Sequence, residues 1–245
     1  MHDLLKRIGH RLVTAVYPPG CIACGAAVQD PFGLCATCWA QAGFITGVAC
    51  DSCGTPLPGH SDGVEHCDTC LRDPPVWSRG RAVLTYEETG KRLILALKHG
   101  DRTELARPMG KWLATAGRDL IRPDTLIAPI PLHRLRLLRR RYNQAALLGH
   151  ALALHTGAEH LPMLLRRTKA TPCQNGRDRA ARYANLNGAL EVRATHCLVP
   201  QGRSVLLVDD VMTSGATLTA ASRAVLQAGA ARVDVLVVAR VANDG

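Results

Sequence analysis

The stretch "SVLLVDDVMTSGATLTAA", from Ser204 to Ala221, sets two adjacent carboxylates directly in front of a hydroxyl-rich turn. Val205 to Val208 read as a buried strand, Asp209 and Asp210 as its C-terminal rim, and the residues from Ala216 onward as a helix. In a parallel α/β sheet, ligands bind beyond the carboxyl ends of the strands. The start of the following helix offers free backbone N–H groups and the positive end of the helix dipole. Gly215 permits close approach, and the hydroxyls of Thr213, Ser214 and Thr217 add donors, so the turn from Thr213 through Ala216 to Thr217 is a phosphate cradle. Carboxylates just before such a cradle can accept hydrogen bonds from the hydroxyls of a sugar whose phosphate sits in the turn. The bland alternative is a plain strand–loop–helix with a solvated Asp pair, but two like charges at the end of a buried strand are electrostatically costly. No Walker A pattern is present, so the turn is not a P-loop.

A second chemistry lies upstream. Eight of the ten cysteines form four C-x-x-C pairs: Cys21/Cys24, Cys35/Cys38, Cys50/Cys53 and Cys67/Cys70. Each pair places two thiolates on one side of a tight turn, and two such turns complete a tetrahedral zinc site. Gly25 and Gly54, just after the second cysteine of two pairs, let the backbone turn back toward the metal. Disulfides are the competing reading, and no secretion signal accompanies them. Iron–sulfur spacings are not matched. Sequential pairing gives two ribbons, and interleaved pairing is the other option. The region is poor in large apolar residues, so zinc must supply much of its folding free energy. The remaining thiols, Cys173 and Cys197, read as incidental, and the histidines form no H-E-x-x-H or similar pattern.

The net charge is +10, which favours a polyanionic partner, although basic proteins can also use such charge only for solubility. Two zinc ions with eight thiolates would leave the chain basic. The charge is concentrated: from Thr125 to Leu190 there are eleven Lys or Arg against Glu159 and Asp178 alone. A solvated surface normally mixes signs, so this segment, with Arg139, Arg140 and Arg141 in a row, is built to meet phosphates. No apolar run approaches the roughly 18 residues of a membrane span. The N-terminal "MHDLLKRIGHRLVTAVYPPG" has neither the apolar core nor the cleavage site of a signal peptide and reads as a short helix. A cytoplasmic location follows as an expectation.

The elements that must position these groups alternate. After the paired prolines of "RDPPVW" come a strand in "RAVLTYE" and helices in "KRLILALKHG" and "ELARPMGKWLATAGRDL". A short strand in "TLIAPI" follows, then a helix in "YNQAALLGHALALHTG". The strand, turn and helix of the opening stretch precede a last strand in "RVDVLVVARV". Alternation of this kind implies a mostly parallel sheet covered by helices. The expected organisation is an N-terminal helix and double zinc ribbon over residues 1–76 and an α/β domain over 77–245. At 47% hydrophobic but only 4% aromatic residues, the core must be mainly aliphatic.

"VLLVDDVMTSGAT" resembles the 5-phosphoribosyl-1-pyrophosphate (PRPP) signature of type I phosphoribosyltransferases. Nearly the whole chain resembles the ComF competence-protein family, which joins a double zinc ribbon to such a domain. The match includes the four C-x-x-C pairs, "LILALKHGDR" with Lys98, and "PIPLHRLRLLRRRYNQA". It also includes "RRTKATPCQNGRDRAARYANLNGAL" with Arg167, Lys169, Gln174, Arg182 and Asn185. Three positions depart from the pattern. Arg141 stands where glycine is usual, Cys173 where proline is common and Ser214 where threonine is common.

The resemblance implies a parallel-sheet phosphoribosyltransferase fold. It implies Asp209 and Asp210 as the catalytic acids at the ribose, and Thr213, Ser214, Gly215, Ala216 and Thr217 as the holders of the 5-phosphate. Pro131, Leu132 and His133 would form the pyrophosphate loop. Arg167, Lys169, Gln174 and Arg182 would lie in a flexible loop, Arg166 to Asn187, that closes over the leaving group. Mg2+ would accompany PRPP, bound largely by substrate oxygens. The implied role is PRPP binding linked to natural competence and incoming single-stranded DNA. Arg139, Arg140 and Arg141 would contact the DNA, and competence-machinery proteins would be partners. A transferase acting on an unidentified nitrogenous acceptor and a catalytically silent PRPP-binding regulator are the alternatives, because no base-reading residue is legible.

Overall fold

The computed structural model describes residues 18–133, 137–138, 140–168 and 189–241. The N-terminal stretch read as a helix falls outside these residues as far as position 17. In chain order the described elements are α1 (Ala36–Ala40), α2 (Asp68–Arg72), β1 (Gly80–Thr85), α3 (Glu88–His99) and α4 (Ala106–Ala116). Then come β2 (Leu126–Pro129), α5 (Gln144–Thr156), β3 (Glu159–His160), β4 (Leu165–Arg167) and β5 (Leu190–Val192). The chain closes with β6 (Ser204–Met212), α6 (Ala216–Gln227) and β7 (Arg232–Arg240). The main sheet runs β1-β7-β6-β2-β3, and every neighbouring pair is parallel.

The sheet is buried on both faces, which is why its central strands read as unbroken aliphatic runs. Side chains alternate along β6. Leu206 and Val208 meet Ile94, Leu97, Met109, Leu113, Leu148 and Leu152 from α3, α4 and α5. Val205 and Leu207 meet Leu218, Ala221 and Val225 of α6 on the other face. Each such side chain contributes about 1.5–3 kcal/mol on full burial.

Several boundaries differ from the sequence reading, for physical reasons. β6 continues past the two acids to Met212 because β7 pairs with it as far as Arg240. The helix expected from Glu104 opens as a 3-10 turn, Thr103–Leu105, and stops at Gly117. Pro108 is tolerated because it sits in the first turn of α4. The antiparallel β4–β5 pair was not expected: Arg166 and Arg167 lie in a strand rather than a loop. Strands of two or three residues carry too little periodicity to be read, and the partners here are more than twenty residues apart.

The cysteine region docks on the sheet through its turns. Cys50, Cys53 and Trp77 belong to the core on the α6 side of the sheet. The Trp77 indole N–H donates to the Ser52 carbonyl, inside the third C-x-x-C turn, at 2.6 Å. Gly54 has φ +71°, and a Cβ there would stand 2.7 Å from the Ala82 nitrogen, so the glycine serves close approach to β1 as well as the turn. Asp51 of the same turn is gripped by Arg79 and Arg81 at 2.8 and 2.7 Å, and both arginines also reach Asp119 at 2.7 Å. Burial alone would raise the Asp51 carboxyl, but the hydrogen bonds from Arg79 and Arg81 outweigh it and hold it below its ordinary range. The first cysteine group docks through Ile22, which joins the core on the α3 side, rather than through its cysteines, with Arg102 donating to the Ile22 carbonyl at 3.0 Å and Arg92 donating to Cys38 Sγ at 3.3 Å.

This asymmetry yields an expectation. Metal analysis of the purified protein should give two zinc ions per chain, and Cys21→Ser or Cys50→Ser should each leave one. Cys50→Ser should lower the thermal midpoint of the whole protein more than Cys21→Ser, because Cys50 itself belongs to the core cluster on the α6 face of the sheet. Equal losses in a calorimetric comparison would contradict this.

Candidate active site

Asp209 and Asp210 are neighbours in sequence but not partners in space. A strand sends successive side chains to opposite faces. Asp210 lies on the face shared with Leu206 and Val208, under α3, where Lys98 Nζ pairs with its carboxylate at 3.0 Å. Asp209 lines the concavity formed with Val211, Met212 and the turn from Thr213 to Leu218. The Asp209 carboxylate also accepts the backbone N–H of Asp210 at 2.8 Å. Desolvation and then the Asp210 charge push the Asp209 carboxyl up to about 7, against the opposing pull of that N–H, Lys98 and Arg167. Arg167, from β4, is therefore within electrostatic reach of the acid. Lys98 carried no assigned role in the sequence reading, and only the packing of α3 on β6 reveals that it answers Asp210.

The turn has the features of an anion cradle. Gly215 adopts φ +78° and precedes α6 without any side-chain cap, which leaves the first N–H groups of the helix without a capping oxygen. A Cβ on Gly215 would stand 2.9 Å from the Trp77 ring, so the residue is confined by both conformation and space. Thr213 is exposed and Ser214 and Thr217 are partly so, while Gly215 and Ala216 form the buried floor.

The β2 loop stands beside these acids. Pro129 pairs with Val208, and the Ile130 N–H donates to the Val208 carbonyl at 2.9 Å, which brings Pro131, Leu132 and His133 next to the end of β6. The "YNQ" residues hold this corner together. Tyr142 donates to the Leu97 carbonyl at 2.7 Å, Asn143 to the Ile130 carbonyl at 3.0 Å and Gln144 to the Lys98 carbonyl at 3.4 Å. Asn143 also caps α5. Three consecutive polar side chains thus join the end of α3 to the end of β2. Their clustering in sequence was a signal, but their targets are visible only in the fold.

Arg141 takes φ +67°, the left-handed conformation that favours glycine, which accounts for the glycine usual at this position. It is exposed, and Arg140 donates to Gln144 at 3.4 Å. Arg139, Lys169, Gln174, Arg182, Asn185 and Cys173 lie outside the described residues. The segment that holds the last five leaves and returns at a pinned point: the Thr168 N–H donates to the Ala189 carbonyl at 3.0 Å, and Ala189 packs on Ala216 at the start of α6.

The cysteines assemble sequentially. Cys21, Cys24, Cys35 and Cys38 form one group and Cys50, Cys53, Cys67 and Cys70 another, each with its sulfur atoms within 4.8 Å of one another. The Sγ separations of 3.6 Å for Cys24–Cys35 and 3.7 Å for Cys53–Cys67 suit a tetrahedral zinc, whose sulfur–sulfur edge is about 3.8 Å for bonds of about 2.3 Å. Four soft thiolates with no open position describe structural zinc rather than a catalytic centre.

The double zinc ribbon domain matches residues 12–71, and the phosphoribosyl transferase domain matches residues 179–244. Competence protein F of Haemophilus influenzae is 32% identical over 213 residues, covering 85% of this chain and 90% of that protein. The DNA utilization protein YhgH of Escherichia coli is 32% identical over 212 residues, covering 83% and 88%. Competence protein ComFC of Bacillus subtilis is 27% identical over 207 residues, covering 81% and 80%.

Two expectations follow from this geometry. An unfolded Asp ionises near 3.8, whereas folded Asp209 holds its proton to about 7. The folded state is therefore favoured below pH 4 and loses this contribution as pH rises through 7. Asp209→Asn should flatten the fall in thermal midpoint between those limits, and an unchanged slope would place the titration elsewhere. Arg141→Gly should stabilise the fold by roughly 1 kcal/mol or less, since relief of left-handed strain is partly offset by glycine entropy. Chemical denaturation measures this gain.

Proposed function

The chain belongs to the ComF family of competence proteins, and on that premise we propose that its α/β sheet carries a Mg2+-dependent PRPP site. The observation that carries this reading is the opening of Asp209 onto an uncapped helix start behind a left-handed glycine. A phosphate in the turn and a sugar over Asp209 would place the anomeric carbon toward the β2 loop. The pyrophosphate would then lie near Pro131, Leu132 and His133, with Arg167 and the more distant Lys169, Gln174 and Arg182 offering positive or polar contact.

In phosphoribosyl transfer, the bond from the anomeric carbon to pyrophosphate breaks and a bond to the acceptor nitrogen forms. The centre between them is oxocarbenium-like. Asp209 would stabilise that positive charge once ionised, and cations at the leaving group would stabilise the departing pyrophosphate. Lys98 pairs with Asp210 and holds it in place. Mg2+ fits the acid-and-phosphate chemistry of the site and would neutralise pyrophosphate oxygens. No side-chain nucleophile is required, in keeping with the exposed Cys197 standing apart from the site. The activity class that follows is a glycosyltransferase of the phosphoribosyl type, and retention of PRPP without transfer would make the protein a sensor instead.

The names of the relatives, together with the basic excess from Thr125 to Leu190, support a second, compatible role in handling single-stranded DNA in the cytoplasm. Among the described residues, the exposed Arg141 and the 55%-exposed Trp39 offer a cation and a stacking surface. Trp39 is already stacked near Phe44, with ring centroids 4.3 Å apart, so binding is expected to rest mainly on charge and to weaken steeply with salt.

The test is calorimetric. Wild-type protein should bind PRPP only with Mg2+, and Asp209→Asn with Asp210→Asn should abolish binding in a protein that keeps both zinc ions. Unchanged affinity in that variant would refute the site. Changing Arg139, Arg140 and Arg141 together to Ala should weaken oligonucleotide binding at low salt while sparing PRPP. Oligonucleotide affinity that ignores the three arginines would remove them from the DNA role.

A further inference from the structure

A buried cation stands directly behind the phosphate turn. Arg240 ends β7 in register with Met212 and is only 7% exposed. Its Nη1 donates to three backbone carbonyls: Met212 at 3.2 Å, Thr213 at 2.6 Å and Val241 at 2.6 Å. Its Nε is buried and meets no acceptor. Among the described residues no carboxylate lies within ion-pair distance of it, although the sheet holds other arginines in tight pairs, such as Arg232 with Asp234. An interior cation without a counter-charge is costly, and a side chain needed only to fill the end of a strand could be apolar at this place.

The bonds it makes have a directional consequence. A trans peptide unit points its C=O and N–H opposite ways. The Met212 carbonyl shares a unit with the Thr213 N–H, and the Thr213 carbonyl shares one with the Ser214 N–H. Drawing both carbonyls back onto one guanidinium turns those two N–H groups away from Arg240, toward the open side of the turn. The Met212 carbonyl also accepts the Val241 N–H at 3.0 Å and is held by that bond as well, whereas a neutral residue at this position would leave the Thr213 carbonyl free to rotate forward, where it would repel a phosphate.

We propose that Arg240 is a positioning residue for the phosphate of the ligand: it locks the peptide plane that joins the Thr213 carbonyl to the Ser214 N–H into a donor orientation, and its unanswered charge is completed by the phosphate dianion. The inference rests on the reading of this turn as a phosphate site. It adds a residue from a different strand, behind the site, that makes the turn selective for a dianion over a neutral sugar. The guanidinium acts through the backbone and does not touch the ligand.

The test uses full-length Arg240→Met and Arg240→Lys, each checked for two zinc ions and wild-type circular dichroism. Inorganic phosphate is titrated while the Thr213 and Ser214 amides are followed by NMR, and PRPP and pyrophosphate are titrated by calorimetry with Mg2+. In the wild type, phosphate should shift both amides. In Arg240→Met the Ser214 shift should vanish while the Thr213 shift persists, and PRPP should bind on the order of tenfold more weakly or worse, while pyrophosphate changes less than about twofold. Arg240→Lys should recover part of the loss through its charge but not all, because it lacks the planar fork. Should Arg240→Met fail to fold, Arg240→Lys alone carries the comparison. Wild-type amide shifts in a folded variant, or a parallel loss of pyrophosphate affinity, would overturn the proposal by reducing Arg240 to a structural part. Failure of the wild type to bind PRPP while its amides still respond to phosphate would sink the PRPP reading and leave the role of Arg240 standing.

Discussion

The second group of four cysteines is the constraint on which the rest leans. The segment from Ala49 to Trp77 has too few large apolar residues to fold by burial, so its shape depends on metal ligation. Yet Cys50, Cys53 and Trp77 are core residues of the sheet beneath, on the same face as Val235 and Val237. The metal therefore organises a surface that the sheet needs. From the Ser52 carbonyl in that turn hangs the Trp77 indole, and against the edge of that indole rests Gly215, just before α6. A path of direct contacts leads from the third C-x-x-C turn to the turn before α6 through Ser52, Trp77 and Gly215. The ribbon is thus part of the architecture of the site rather than an appendage beside it.

Electrostatics at the sheet edge follows from strand geometry. Adjacent carboxylates repel, and the fold separates them by sending them to opposite faces. Each then meets a different environment. Asp210 is matched by Lys98 and fixed, while Asp209 is left poorly solvated beside the uncapped start of α6. The division suits a site in which one acid organises the protein and the other faces the ligand. Tyr142, Asn143 and Gln144 extend the same logic by holding Lys98 and the β2 loop to one corner through backbone carbonyls. These bonds fix the dipoles of the corner in one orientation.

A site for a phosphorylated sugar and a basic surface for DNA need not compete within one family. Both are met by arginine and lysine, and in this chain the cations that would serve each are close in sequence. Arg140 is tied to Gln144 within the corner that holds the β2 loop, whereas Arg141 points to solvent from a strained backbone.

Much of this was legible without coordinates. The four C-x-x-C pairs announce metal because thiolate spacing is local chemistry. The sequence also shows the run from Val205 to Val208, the glycine at 215 and the apolar spacing of Leu218, Ala221 and Val225, because strand burial, turn conformation and helix period each act over a few residues. Contacts between distant segments were not legible. Nothing near Asp210 in the sequence points to Lys98, nothing near Thr213 points to Arg240, and nothing in "CDSC" points to Trp77. The β4–β5 pair, with Leu165 facing Val192, was hidden for the same reason. Short-range rules decide which residues can do chemistry. Which of them meet is decided by the register of parallel strands and the packing of helices across them, and that information is spread over the whole chain.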